Sequence, residues 1–351
     1  MSYIQKPTAY HPALPKNKLG LTHRDYEASM STLCAGCGHD SITAGIIEAC
    51  HKLALPAHRI AKVSGIGCSS KAPTYFLGRS HGFNSVHGRM PSIATGANLA
   101  NRDLTYIGVS GDGDTASIGL GQFCHSVRRQ VNMTYIVMNN GCYGLTKGQF
   151  SATNDKASPS KKGEPNPFEP IDLCQLAIQL GAGFVGRSFS GDKKQLVPLI
   201  EAALAYNGFA FLDVLSPCVT FNNHAKSTKS YEYIRDHNQM MGQLDFIPAM
   251  EQITVDHDPG TTADVALHDG SKLKLHKLDN NHNVRSADEA LTVIRDQASL
   301  GAVATGMLYI NEAEQDLHQV LGSSERPINT LDMSELCPGS KPLEAINARL
   351  R

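Results

Sequence analysis

The chain has 351 residues, with 32 Lys and Arg against 33 Asp and Glu. That length can bury a full core, as one large α/β domain with an extension or as two units. The near-zero net charge points to neither nucleic acid nor an anionic membrane as partner.

Residues 1–20, MSYIQKPTAYHPALPKNKLG, contain Pro and Lys but no apolar signal-peptide stretch, and read as an arm that is ordered or clasps a partner. Next comes CAGCGHD, carrying Cys34 and Cys37, ahead of a helix expected from Ser41 to about Leu53. A strand is predicted over Ile60–Ser64, followed by GIGCSSK with Cys68, and HGR precedes an apolar helix. The β-branched runs Leu104–Ser110 and Met133–Met138 read as buried parallel strands, joined by a GDGD turn and a helix from Thr115 to about Gln130. FAFLDVLSPC is a further strand ending at Cys218. The apolar stretch Leu196–Leu212 is interrupted by Glu201 and Asn207, so no membrane span is expected. Beyond residue 225, Asp264–Leu275 alternates around an Asp269–Gly270 turn as a hairpin. Ser286-x-x-Glu289 opens a helix to about Leu300, and a strand over Ala302–Ile310 and a helix from Glu312 follow.

Loops at the carboxyl ends of parallel strands are where open α/β sheets bind ligands. Asp112 and the Asn140 amide oxygen lie on two such loops, and the Cys142 carbonyl offers a third oxygen. Mg²⁺ wants oxygen ligands in octahedral array and commonly shares them with substrate phosphates. The spacing of GDG and NN resembles the thiamine diphosphate motif, with Gly111 and Gly113 letting the backbone approach a diphosphate. A GDG alone is better read as an ordinary turn. The asparagine pair one strand later favours the cofactor, and no G-x-x-x-x-G-K-[ST] loop supports a nucleotide site.

Nine cysteines without an export signal suit reduced thiols in the cytoplasm and metal ligation. Cys34, Cys37, Cys68 and Cys218 all sit on loop or strand ends and can converge as a complete thiolate set. By themselves they suit structural zinc as well as an iron–sulfur cluster. Thiamine chemistry on a 2-oxo acid leaves an electron pair for a proton, an acyl acceptor or an oxidant, and a nearby cluster would serve the last. Cys50 and Cys174 read as buried free thiols, Cys124 as a helix residue and Cys337 as part of a polar tail.

The motifs CAGCGHD, GIGCSSK, HGRMPSIATGANLAN, GDGD…MNNGCYGLTKGQ and DVLSPCVTFNNH, in that order between Leu21 and His224, closely resemble the β subunit of 2-oxoacid:ferredoxin oxidoreductases, most like the 2-oxoglutarate enzymes. The resemblance implies that Cys34, Cys37, Cys68 and Cys218 ligate a [4Fe–4S] cluster. It implies that Ile66, Gly67, Cys68, Ser69, His87, Gly113, Asp114, Gly144 and Leu145 line thiamine diphosphate. Asp112, Asn140 and the Cys142 carbonyl would then hold Mg²⁺. Lys71 and Lys147 become candidates for substrate carboxylates, although an isolated lysine is usually a solvated one. His87 is similarly a phosphate contact or a satisfied turn histidine, and Arg89 belongs to the same shell or pairs with an acid. Many relatives have proline at Ala152, and isoleucine or valine at Cys142, a change that a carbonyl ligand tolerates.

The expected fold is α/β, a thiamine diphosphate-binding fold with a mostly parallel sheet flanked by helices and a small α+β carboxyl-terminal extension. The expected units are an arm (1–20), a cofactor- and cluster-binding domain (21–224) and a partner-docking lobe (225–351). The implied activity converts 2-oxoglutarate, CoA and oxidised ferredoxin to succinyl-CoA, CO₂ and reduced ferredoxin, in either direction, as an αβ or (αβ)₂ assembly whose α subunit supplies the glutamate for the aminopyrimidine. Alternatives are pyruvate or another 2-oxo acid as substrate, a non-redox thiamine decarboxylase or synthase, and a zinc-stabilised binding module.

Overall fold

The computed structural model describes residues 11–158, 164–220, 253–267, 272–337 and 339–350. The apolar runs form the strands of a nine-stranded sheet, in the order β2-β1-β3-β4-β8-β7-β11-β10-β9. These are β1 (Ile60–Ser64), β2 (His81–Asn84), β3 (Thr105–Gly111), β4 (Met133–Asn139), β7 (Phe184–Phe189), β8 (Phe209–Leu215), β9 (Thr262–Ala266), β10 (Lys272–Lys277) and β11 (Ala302–Ile310). The small strands β5 (Cys142–Tyr143) and β6 (Gln149–Phe150) pair with each other. From β2 through β7 the neighbours are all parallel, so their carboxyl ends share one edge. The chain leaves β1 for β2 on one side and later builds β3 on the other, which puts a topological switch point between β1 and β3.

Period-two alternation divides each central strand between two cores. Tyr135 and Val137 face one core with Phe123, Phe209 and Phe211, whereas Ile136 and Met138 face the other with Ile42 and Ile46. Phe123 meets Tyr135 and Phe211 edge-on, at 5.5 and 5.0 Å between centroids. Helices α1 (Gly38–Lys52) and α5 (Lys193–Ala205) pack together on the second face. The first face carries α2 (Met90–Ala100), α3 (Leu120–Arg128), α4 (Leu173–Gln179) and α6 (Ala287–Ser299). Among the described residues no helix is long and apolar enough to cross a membrane.

Two helices depart from the sequence expectation near the motif loops. Helix α1 begins at Gly38, capped by Cys37, and not at Ser41. A β-carbon on Gly38 would lie 2.7 Å from the hydroxyls of Ser190 and Ser216, so glycine lets the helix start against the loop after β8. The helix predicted over Thr115–Gln130 is broken. Residues Gly113–Ile118 form a wide π-type turn closed by Gly119 N–H on Asp114 O (2.9 Å), and only then does α3 begin.

Strands β9 and β10 are antiparallel, as the hairpin pattern predicts, although the Asp269–Gly270 turn lies outside the described residues. Ser286 caps α6 by accepting Glu289 N–H at 3.2 Å, while the Glu289 carboxylate takes Asn283 N–H in place of the reciprocal capping bond. Strand β11 pairs antiparallel with β7 and parallel with β10, so these three strands continue the main sheet. The helix expected from Glu312 starts at Leu317 behind the cap Asp316, because Asn311 accepts Ala313 N–H and turns the chain first.

Candidate active site

One cleft opens at the carboxyl edge of the parallel strands, beside the switch point, and its walls come from four strand-end loops and the start of α1. The loop after β1 supplies Ile66, Gly67, Cys68 and Ser69, and the loop after β2 supplies His87. Asp112, Gly113 and Asp114 follow β3, and Asn140, Cys142, Gly144 and Leu145 follow β4. All of these candidates from the sequence therefore meet in one place. His39, Met138, Tyr143 and Thr146 also line the cleft and were not singled out by sequence. Of these, His39 was visible as the tail of CAGCGHD, but nothing in the sequence shows that α1 starts early enough to bring it in.

Asp112 is only 1% exposed, although it stands on a strand-end turn. Its carboxylate accepts hydrogen bonds from the Thr153 hydroxyl (2.7 Å), the Ser151 hydroxyl and Asn140 N–H (3.2 Å). Burial pushes its carboxyl up and these donors only partly offset that. A buried carboxylate with a raised affinity for protons is also a strong site for a cation. The Asn140 side-chain oxygen accepts Cys142 N–H at 3.1 Å, so the loop turns on that oxygen. Behind the loop Thr153 also reaches Asn139 (3.1 Å), Asn139 donates to Asp213 (3.0 Å), and Asp213 accepts from Arg187 (3.0 Å), which also binds Asp172 at 2.6 Å. Ser151, Thr153 and this buried network carry no motif of their own.

The second aspartate of GDGD has another task. The Asp114 carboxylate accepts Gly88 N–H (2.8 Å) and the Ser110 hydroxyl (2.6 Å), tying the HGR loop to the end of β3. Gly88 and Gly119 touch there: a β-carbon on either would stand 2.7 to 2.9 Å from the other's backbone. Gly111 has a similar reason, since its β-carbon would lie 2.9 Å from the Ser69 hydroxyl. The glycines thus draw the backbone into a shallow cradle that leaves room for a phosphate group.

The thiols gather on the same edge. Cys37 is buried and capped by His39 N–H, and Cys34 accepts the Thr220 hydroxyl at 3.1 Å. Cys37 is pushed up to about 12, by burial first and then by Cys218 and Cys34. Cys68 is raised by burial and by Cys218 and Cys34, with the Lys71 charge acting against them. The Cys142 thiol is pushed up by the neighbouring Cys218 and by burial, with Asp112 and Cys68 adding to the effect. Each of these thiols therefore sits within electrostatic reach of others. Among the described residues, however, no three His, Cys, Asp or Glu side chains close on the space of one ion. Zinc would need thiolates about 3.8 Å apart for its ~2.3 Å tetrahedral bonds. A cluster has a separate iron for each thiolate and holds them further apart, and a sulfur-only donor set serves either group.

His39 is buried, meets the Ser216 hydroxyl through Nδ1 at 2.5 Å, and burial lowers it to about 4. It joins the Cys37 arm to the Cys218 arm. Cys50 and Cys174 are buried away from the cleft, as expected of free thiols. Lys71 and Lys147 are exposed and do not line the cleft. Lys147 stands at φ +80 in the turn closed by Gly148 N–H on Tyr143 O.

Residues 65–214 match the family model described as thiamine pyrophosphate enzyme, C-terminal TPP binding domain. The chain is 34% identical over 264 residues to a 2-oxoacid:ferredoxin oxidoreductase subunit beta from Sulfolobus, covering 74% of this chain and 84% of that one. It is 40% identical over 194 residues to the 2-oxoglutarate oxidoreductase subunit KorB of Mycobacterium tuberculosis, covering 54% of this chain and 51% of that one. Its fold matches a solved 2-oxoglutarate:ferredoxin oxidoreductase from Magnetococcus marinus, determined with 2-oxoglutarate, coenzyme A and succinyl-CoA bound. The TM-score is 0.70 at 28% identity, over 94% of this chain and 99% of that one.

Proposed function

The chain belongs to the β subunits of the 2-oxoacid:ferredoxin oxidoreductases, and we propose that with an α subunit it oxidatively decarboxylates 2-oxoglutarate to succinyl-CoA and CO₂. The electrons leave through a [4Fe–4S] cluster to ferredoxin. The observation that carries this reading is the place of Cys68: it lines the cofactor cleft and lies within electrostatic reach of Cys34 and Cys218. A residue shared by both sites leaves little distance for electrons to cross.

Thiamine diphosphate, when bound, supplies the carbon nucleophile that lets the carboxylate of a 2-oxo acid depart. Asp112, the Asn140 amide oxygen and the Cys142 carbonyl would hold its Mg²⁺, a set of hard oxygens suited to that ion. The Asp112 carboxylate reaches this role already oriented by Ser151, Thr153 and Asn140 N–H. Gly113, Gly144 and the Ile66–Ser69 loop offer backbone to the diphosphate, and His87 offers an imidazole. Asp114 works by position, holding the HGR loop against the GDGD turn. Cys34, Cys37, Cys68 and Cys218 would ligate the cluster as thiolates, and at Cys37 and Cys68 burial favours the proton that must leave, so assembly releases acid. Lys71 and Lys147, exposed one or two residues beyond Ser69 and Thr146 of the lining, would serve as cations for the substrate's carboxylates. In this reading the cleft takes the diphosphate side of the cofactor. The α subunit would close it and supply the glutamate, with an αβ or (αβ)₂ assembly in the cytoplasm as the working form.

Relatives named for 2-oxoglutarate favour that substrate. The Sulfolobus relative, named for 2-oxo acids in general, supports pyruvate or another 2-oxo acid as the second reading. The test is anaerobic co-purification with the α subunit, followed by ferredoxin reduction with a panel of 2-oxo acids and CoA. The highest kcat/KM for 2-oxoglutarate supports the first reading and for pyruvate the second. Decarboxylation with no reduction of cluster or ferredoxin would leave a non-redox thiamine enzyme.

A further inference from the structure

The segment after β8 touches the CAGCGHD loop on both sides of Cys218. Two residues before that cysteine, the Ser216 hydroxyl meets His39 Nδ1 at 2.5 Å; two residues after it, the Thr220 hydroxyl donates to the Cys34 sulfur at 3.1 Å. We propose that the Thr220 hydroxyl donates a hydrogen bond to the sulfur by which Cys34 ligates the cluster, and thereby raises the potential at which the cluster accepts an electron. The inference rests on the cluster reading given above. Once Cys34 is bound to iron it carries no proton, so the hydroxyl is the donor of the pair, and a thiolate accepts more strongly than a thiol. An added electron puts more negative charge on the ligand sulfurs, and a donor aimed at one of them stabilises the reduced state more than the oxidised.

Both partners of this contact stand on braced backbone. Ser216 and His39 are 1% and 2% exposed, and Ser216 N–H also donates to the Asn139 carbonyl at 2.7 Å, which fixes the Thr220 side to the end of β4. On the other side Cys37 N–H closes on the Cys34 carbonyl at 3.0 Å, and the Ser31 hydroxyl ties to the Asp40 carboxylate at 2.6 Å. The hydroxyl therefore stays within reach when iron replaces the thiol proton. Cys34 is exposed, whereas Cys37 is buried and Cys68 and Cys218 are intermediate, so the hydroxyl supplies a fixed donor to the sulfur that solvent reaches most easily. Thr220→Val keeps the shape of the side chain and removes the donor, its added methyl keeping water from the vacated place. Thr220→Ser keeps the hydroxyl.

The experiment is an anaerobic EPR redox titration of the αβ protein, with iron and sulfide measured on each sample. Thr220→Val should retain its iron and show a roughly threefold lower ratio of reduced to oxidised cluster at the wild-type midpoint. That is about 30 mV at ~59 mV per tenfold for one electron. Thr220→Ser should restore the wild-type midpoint, and Thr220→Ala, which opens the sulfur to water, should fall between wild type and valine. A valine midpoint equal to that of the wild type, with iron retained, would overturn the proposal alone. Loss of iron from the valine and alanine variants but not from serine would overturn it by making the hydroxyl a requirement of assembly and not of potential. Wild-type protein without iron and sulfide would refute the underlying cluster reading.

Discussion

The Tyr143 hydroxyl donates to the Gly113 carbonyl at 3.0 Å, and the Tyr143 ring fills the space a side chain on Gly113 would need, 2.5 Å from the position of its β-carbon. Tyrosine from the β4 loop thus closes over the turn after β3. Gly113→Ala should push the ring into the cleft and weaken thiamine diphosphate binding at least tenfold, about 1.4 kcal/mol. In a Tyr143→Ala background the same change should cost much less. Calorimetric titration of the αβ protein with cofactor checks both, and equal losses in the two backgrounds would show that the ring contact is irrelevant.

Asp112→Asn should separate binding from folding. The amide oxygen can still accept from Ser151 and Thr153, while the charge that burial disfavours is gone. Without Mg²⁺ and cofactor the variant should melt at or above the wild-type temperature. Added Mg²⁺ and thiamine diphosphate should raise the melting temperature of the wild type and leave the variant unmoved. A normal shift in the variant would remove Asp112 from the metal site.

Cys37→Ser and Cys218→Ser should lose cluster iron, because an incomplete thiolate set cannot hold it firmly. Cys174→Ala, deep in the first core, and Cys337→Ser, exposed in the tail, should retain it. Iron and acid-labile sulfide per chain decide the matter. Comparable loss from the two controls would mean that the ligand set is wrong.

Lys62 is buried in β1 and donates to the carbonyls of Pro73, Phe76 and Leu77 at 2.6, 2.6 and 3.1 Å, pinning the segment that follows Cys68. Lys62→Met leaves those carbonyls short of a donor and should destabilise the chain by roughly 2–3 kcal/mol in urea unfolding. Burial lowers the Lys62 ammonium to about 8, from an ordinary value of 10.5. Between those values the unfolded chain binds more protons than the folded one, so this group makes stability rise with pH. The wild-type advantage over Lys62→Met should therefore widen from pH 8 to 10. A constant gap across that window would show that the group keeps its ordinary titration.

Arg187 lies between Asp213 and Asp172 beneath the Asn139 end of β4, 4% exposed. Arg187→Leu strands two buried carboxylates and should cost about 3–5 kcal/mol, measured by urea unfolding. Its loss should also loosen Asn139, and with it the Thr153 contact to Asp112. Retained stability would mean that water or another cation replaces the guanidinium.

Local pattern alone determined the strands Ile60–Ser64 and Ala302–Ile310, the β3 and β4 runs, and the loops that carry Cys68, Asp112 and Asn140. Each strand is short, apolar and bounded by turn residues, so its signal lies within its own span. Because parallel strands end on one edge, the sequence could also place the motif loops together. The break in the helix after GDGD was not legible: it depends on Gly88 and Gly119, far apart in sequence, meeting through their missing side chains. The hydroxyls behind Asp112 were equally silent, since Ser and Thr become orienting groups only when a fold buries a carboxylate against them. The same holds for Cys142. Its carbonyl could be proposed as an oxygen ligand from loop spacing, but the nearness of its thiol to Cys218 depends on the pairing of β4 with β8, which brings the Cys218 loop alongside. Sequence determines what lies within one element; contacts between elements distant along the chain are decided only when the sheet assembles.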